Sequence, residues 1–133
     1  MLYRELVVIF VGGGFGASVR YLLTRWLFTL SIIENYAWAP IMLINVLGSF
    51  IMGALYVVMV KHLALNAYWR GLLMVGVLGG FTTFSSFSLD TLVSIESGNI
   101  IGACLGVILS VAGSLFMCAL GISAAKVMIN IMG

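Results

Sequence analysis

Gly79-Gly80-Phe81-Thr82-Thr83-Phe84-Ser85-Ser86-Phe87-Ser88 sits in the middle of an apolar stretch that begins after Arg70 and ends near Asp90. Two glycines followed by a Thr/Ser-rich run make a poor continuous helix. Glycine permits the backbone angles that break a helix, and the hydroxyls can bond the groups the break frees. Non-helical backbone at membrane depth is tolerated only where it is buried in protein or lines a cavity. Broken membrane helices commonly bind ions through exposed carbonyls and helix ends. This segment therefore predicts a membrane helix interrupted at its centre, with a site at the interruption. Phe84 and Phe87 are three residues apart and share one face after the break. Ordinary core packing is the other use such a pair of rings can have.

The rest of the chain supports a membrane setting. Of its 133 residues, 63% are hydrophobic and 8% charged, and the mean hydropathy is +1.25. A soluble domain carries about 25% charged residues. The composition thus predicts an all-α membrane protein, one domain over residues 1–133, with too little polar sequence for a soluble catalytic domain. It is not read as an enzyme. A scattered net charge of +2 excludes a nucleic-acid surface. Crossing the hydrocarbon takes about 20 apolar residues, and four candidate spans appear: 6–30, 38–60, 71–89 and 97–125. The first is longer than the apolar core of a signal peptide and is read as a retained helix. The turns fall at Glu34-Asn35, Lys61 to Arg70, and Glu96 to Asn99. Trp26, Trp38, Tyr68 and Trp69 fall near span ends, where amphipathic rings favour the interface.

Four spans place both termini on one side, with Arg4, Lys61, Arg70 and Lys126; Arg25 and Arg20 belong to the other half of the membrane. The positive-inside bias toward cytoplasmic termini is weak, and such a chain can insert both ways round. Cys104 and Cys118 lie ~21 Å apart along one helix, too far for a disulfide. Many of the sixteen glycines recur at four-residue spacing: Gly12/Gly16, Gly76/Gly80 and Gly102/Gly106, the last row continued by Ser110 and Ser114. Gly48, Ser49 and Gly53 are similar on the second span. Such rows let helix backbones approach closely in lipid. Gly12 to Ala17 also matches a dinucleotide-binding pattern, but a membrane span lacks the strand and βαβ unit that pattern needs.

Asn45, Arg20 and Asp90 stand out among the polar residues of the apolar stretches. Asn45 is about a third of the way into the second, where it either bonds a neighbouring helix or lines a polar path. Arg20 lies well inside the first span and Asp90 directly after the third, and ionisable residues at membrane depth are functional candidates. Snorkelling to the interface is the alternative for Arg20.

Gly13 to Tyr21 (GGFGASVRY), Asn45 to Phe50 (NVLGSF) and Gly79 to Phe87 (GGFTTFSSF) resemble the three signature segments of the Fluc fluoride channels, also called CrcB. The resemblance covers the whole chain in length, motif order and spacing. It implies an antiparallel, dual-topology homodimer in the cell inner membrane, with two fluoride pores at the subunit interface and a central structural sodium ion. By resemblance the sodium is held by the carbonyls of Gly79 and Thr82. Phe84 and Phe87 match the pore phenylalanines, Asn45 the pore asparagine, and Ser110 and Ser114 a hydroxyl track. Arg20 matches a basic vestibule residue, and Asp90 stands where relatives usually have Glu. Two departures are visible: Pro40-Ile41 replaces Gly-Thr, and Gly106 replaces a tyrosine one turn before Ser110. Both remove polar groups, and they leave open pairing with a second, different chain.

Fluoride is small and strongly hydrated, so a pore must replace its water with donors. The candidates are the Asn45 amide, the Thr83, Ser86, Ser110 and Ser114 hydroxyls, and the positive edges of the Phe84 and Phe87 rings. No proton-coupling residue is evident, which favours passive flow. The runner-up is a small multidrug exporter, also a four-span dual-topology dimer. It needs a carboxylate embedded in the first span, where this chain has only Glu5, at the span's start.

Overall fold

A computed structural model describes residues 2–30 and 36–132, and all the regular structure among them is helical. Four helices are long and apolar enough to cross a membrane: Leu2–Leu27, Ala39–His62, Ala67–Glu96 and Ile100–Ile131. The chain is therefore a multi-pass membrane protein of the expected class. The turn expected at Glu34-Asn35 lies outside the described residues.

Element ends follow local chemistry. Pro40 stands in the first turn of the second helix, where its missing N–H has no intrahelical partner to lose. That helix closes in a π-helical stretch, Tyr56–His62. Asn66 opens the third span as its N-cap, Oδ1 accepting from the Trp69 N–H at 3.4 Å. The third span ends where Gly98 takes φ +83°, a left-handed position suited to glycine. There the Asn99 N–H donates to the Ser94 carbonyl at 2.9 Å. Asn99 then caps the fourth helix, its Oδ1 accepting from the Gly102 N–H at 2.9 Å.

The spans differ from the sequence reading mainly at charges. The third helix begins at Ala67 and runs to Glu96, well outside 71–89, and the fourth helix, Ile100–Met132, continues past Lys126. Arg70, Asp90 and Lys126 mark polar positions without stopping the backbone, since a charged side chain near a span end can reach the interface while its helix continues.

The glycine rows do pack backbones together. A Cβ on Gly12 would stand 2.6 Å from the Leu72 carbonyl oxygen, and one on Gly16 would collide with the Val77 carbonyl. A Cβ on Gly80 would likewise collide with the Gly13 carbonyl, and one on Gly76 would stand 3.1 Å from Gly12 Cα. The first helix thus runs parallel to the third span, because partner numbers rise together. The second and fourth helices form another parallel pair, with Trp38 on Gly106, Val46 on Gly113, and Gly53 on the Cys118 carbonyl. The two pairs are joined where the second helix runs antiparallel to the third span, Gly48 against Phe81 and Thr82. Leu27, Ile44, Leu78 and Phe81 form a small buried core at that junction. The outward faces are apolar and exposed, among them Phe10, Leu115 and Phe116, as lipid requires.

Gly16 and Gly14 separate packing from composition. Gly16→Ala drives a methyl into backbone, whereas a methyl on Gly14 meets nothing within 4 Å. Gly16→Ala should destabilise the purified protein by about 1–3 kcal/mol, read as a lowered melting temperature in detergent, with Gly14→Ala near wild type.

Candidate functional site: a helix break facing a polar groove

The third span is helical through Gly79–Phe81, then two residues are extended: Thr82 (φ −85°, ψ 154°) and Thr83 (φ −153°, ψ 124°). Helix resumes over Phe84–Glu96. β-branched threonine suits extended backbone, and each hydroxyl has a local use. Thr82 Oγ1 donates to the Leu78 carbonyl at 2.9 Å. Thr83 Oγ1 caps the resumed helix by accepting from the Ser86 N–H at 3.2 Å, and lies 3.3 Å from the Ser86 hydroxyl.

Side chains from two other helices secure the break. Asn45 pairs with the backbone of Thr83 on both sides of its amide: Nδ2 donates to the Thr83 carbonyl at 3.0 Å, and Oδ1 accepts from the Thr83 N–H at 2.8 Å. Arg20 Nε donates to the Gly80 carbonyl at 3.2 Å. Asn45 therefore does bond a neighbouring helix, and one of its N–H groups remains for another acceptor. Arg20 is turned inward as a brace on the break.

These bonds determine which carbonyls are released. In an unbroken helix the Gly79 carbonyl would take the Thr83 N–H and the Thr82 carbonyl the Ser86 N–H. The first donor has gone to Asn45 and the second to the Thr83 hydroxyl. The Gly79 and Thr82 carbonyls are thus among those deprived of their helical partners, as is the Phe81 carbonyl, and Gly79 is exposed on the chain's surface. Carbonyl oxygens with no carboxylate nearby suit a hard monovalent cation better than calcium or magnesium.

Beside the break lies an open groove of about 580 Å³ between the second helix, the third span and the fourth helix. It gathers Asn45, Gly79, Thr82, Thr83, Phe84, Phe87, Ser110 and Ser114, drawn from three separated segments, and has no acidic residue in its lining. The Phe84 and Phe87 ring centroids are 5.5 Å apart with planes tilted by 53°. Phe84 is 77% exposed, so core packing within the chain does not account for it. Ser110 is buried, and its hydroxyl has no hydrogen-bond partner among the described residues. Ser86, Arg20 and Asp90 do not line the groove: Ser86 backs Thr83, Arg20 lies behind the break, and Asp90 is half-buried further along the resumed helix.

The groove also contains Ser49, read from the sequence as a packing residue, and Cys118, read only as too far from Cys104 for a disulfide. Spacing could have found both. Ser49 is one turn after Asn45, and Cys118 one turn after Ser114, on the same helix faces. Hydroxyl donors, a free amide N–H and phenyl edges, with no carboxylate, make a lining able to accept a dehydrated anion.

Comparison with known proteins gives the same direction. The family model described as "CrcB-like protein, Camphor Resistance (CrcB)" matches residues 7–122. The chain belongs to the CrcB family. Relatives named "Fluoride-specific ion channel FluC" match most of its length. One from Elusimicrobium minutum is 39% identical over 128 residues, 96% of this chain and 98% of the relative. One from Roseobacter denitrificans is 42% identical over 123 residues, 92% and 96% respectively. One from Coxiella burnetii (strain Dugway 5J108-111) is 39% identical over 109 residues, 81% and 86%. The break and all the groove residues named above fall inside the stretch that matches the CrcB family.

Removing the Asn45 amide tests the brace. Asn45→Leu leaves the Thr83 N–H and carbonyl without their partner, at about 1–3 kcal/mol each. The variant should melt several degrees lower, and amide hydrogen exchange should rise at Thr83 and Phe84 while the glycine-packed start of the third span stays protected.

Proposed function

We propose that this chain is a fluoride-selective channel through which cytoplasmic fluoride leaves by passive flow across the cell inner membrane. The observation that carries this is the groove: an unpartnered buried hydroxyl, a free amide N–H and two phenyl rings, that of Phe84 exposed, with no carboxylate, beside a helix break at membrane depth. The names of the CrcB relatives point the same way.

Fluoride accepts hydrogen bonds strongly and gives up water only to comparable donors. Asn45, Thr83, Ser110 and Ser114 supply them along the groove, with Ser86 steadying Thr83. Phe84 and Phe87 meet the anion by their edges, where the ring quadrupole is positive. Arg20 and Asp90 belong to the vestibule, where Arg20 also holds the break. The groove is open along one side of the chain, so its wall is completed by a second, antiparallel copy, and two copies give two pores. The weak Lys/Arg bias suits insertion in both orientations, and pairing with a different, oppositely inserted chain would close the groove in the same way. The released Gly79 and Thr82 carbonyls from two copies would hold a central sodium ion. When bound, it supplies a fixed positive charge that satisfies those oxygens and favours an anion nearby.

A multidrug exporter is disfavoured because Glu5, in the first turn, is the first helix's one acidic residue.

Purified protein in liposomes loaded with fluoride should release it, and the same liposomes loaded with chloride should retain it, as read by ion-selective electrodes. Equal release of both ions overturns the proposal. Replacing sodium with a bulky organic cation should lower the melting temperature by several degrees. An unchanged melting temperature means that no such cage forms.

A further inference from the structure

Two buried donors lie on the seam between the second and fourth helices with no hydrogen-bond partner among the described residues: the Ser110 hydroxyl and the Trp38 indole N–H. Ser110 lines the groove; Trp38 does not. Their connection runs through Gly106, one helical turn before Ser110 on the fourth helix. A Cβ at Gly106 would stand 3.0 Å from Trp38 Cγ and 3.1 Å from Cδ2. The indole is therefore pressed against the fourth helix, on the line that Ser114 and Ser110 continue. Four residues of helix span about 6 Å, so the Trp38 ring, packed at the level of Gly106, lies about one turn beyond Ser110 along the fourth helix, as Ser110 does beyond Ser114. Because the two helices run parallel, that line leads from Asn45 toward the membrane face where the third and fourth spans join.

Glycine at 106 carries no polar group, so the fourth helix itself offers no donor at this level. The indole occupies that place. A buried N–H without a partner is unfavourable, and a second unpartnered donor, on a ring that packs one turn before Ser110, is a group a dehydrated anion could satisfy. The indole N–H also has a directional chemistry that a hydroxyl lacks: it only donates. A serine can turn its lone pairs toward a cation, whereas Trp38 can stabilise only an acceptor.

We propose that the Trp38 indole N–H is a hydrogen-bond donor to the permeating anion, the next station beyond Ser110 toward that membrane face. This rests on the channel reading above and extends its polar path past the groove.

The test uses the full-length protein with ¹⁵N-labelled tryptophan indoles, in detergent micelles. The Trp38 Nε1–H resonance is assigned by elimination with Trp26→Phe and Trp69→Phe. Sodium fluoride should move that resonance downfield, and equal sodium chloride should leave it in place. In liposomes, Trp38→Phe keeps the ring and removes the donor, and should lower fluoride release about tenfold, the worth of one bond to a charged acceptor. Wild-type protein that conducts fluoride, with a Trp38 resonance indifferent to fluoride and Trp38→Phe flux equal to wild type, overturns the Trp38 assignment and leaves the channel reading intact. Wild-type protein that releases no fluoride overturns the channel reading and this assignment with it.

Discussion

The pairing of the Asn45 amide with the Thr83 backbone is the contact on which the rest of the molecule depends. Interrupting a helix inside a membrane releases peptide groups where no water can reach them, at several kcal/mol for each one left unpaired. Asn45 answers one N–H and one carbonyl at once, and it comes from the helix that runs antiparallel to the break. The Thr83 hydroxyl takes the Ser86 N–H, and Arg20 takes the Gly80 carbonyl. Once these bonds exist, the Gly79, Phe81 and Thr82 carbonyls are left over. Their availability is a consequence of how the other groups were satisfied.

That arrangement requires the second helix and the first to lie close to the third span, which the glycine rows make possible. In lipid there is no hydrophobic gain from bringing two helices together, so association relies on close packing and polar contacts. Gly12, Gly16 and Gly80 bring the first helix near enough for Arg20 to reach the break. Gly48 admits Phe81 and Thr82, placing Asn45 one turn earlier on the same face opposite Thr83. The fourth helix joins through Gly53 and Gly121 and carries Ser110 and Ser114 to the groove. The same packing explains the two departures from the family pattern. Pro40 is fully buried and starts the second helix, and Gly106 makes room for the Trp38 ring.

The class of protein was legible from the residues alone, because hydrocarbon tolerates so few alternatives: long apolar runs must be helices, and a glycine–threonine run inside one must be a protected break. The spacing of Phe84 and Phe87, and of Ser110 and Ser114, likewise follows from the helical repeat and was readable directly. Helix ends were less so, since Arg70, Asp90 and Lys126 mark the polarity of a side chain without stopping the backbone that carries it. What the sequence could not contain was partnership across segments. That Asn45 meets Thr83, that Arg20 faces the Gly80 carbonyl, and that Trp38 lies on Gly106 are distances between residues 38, 60 and 68 positions apart. Only the packed helices set them, because each depends on how closely glycine lets two backbones approach.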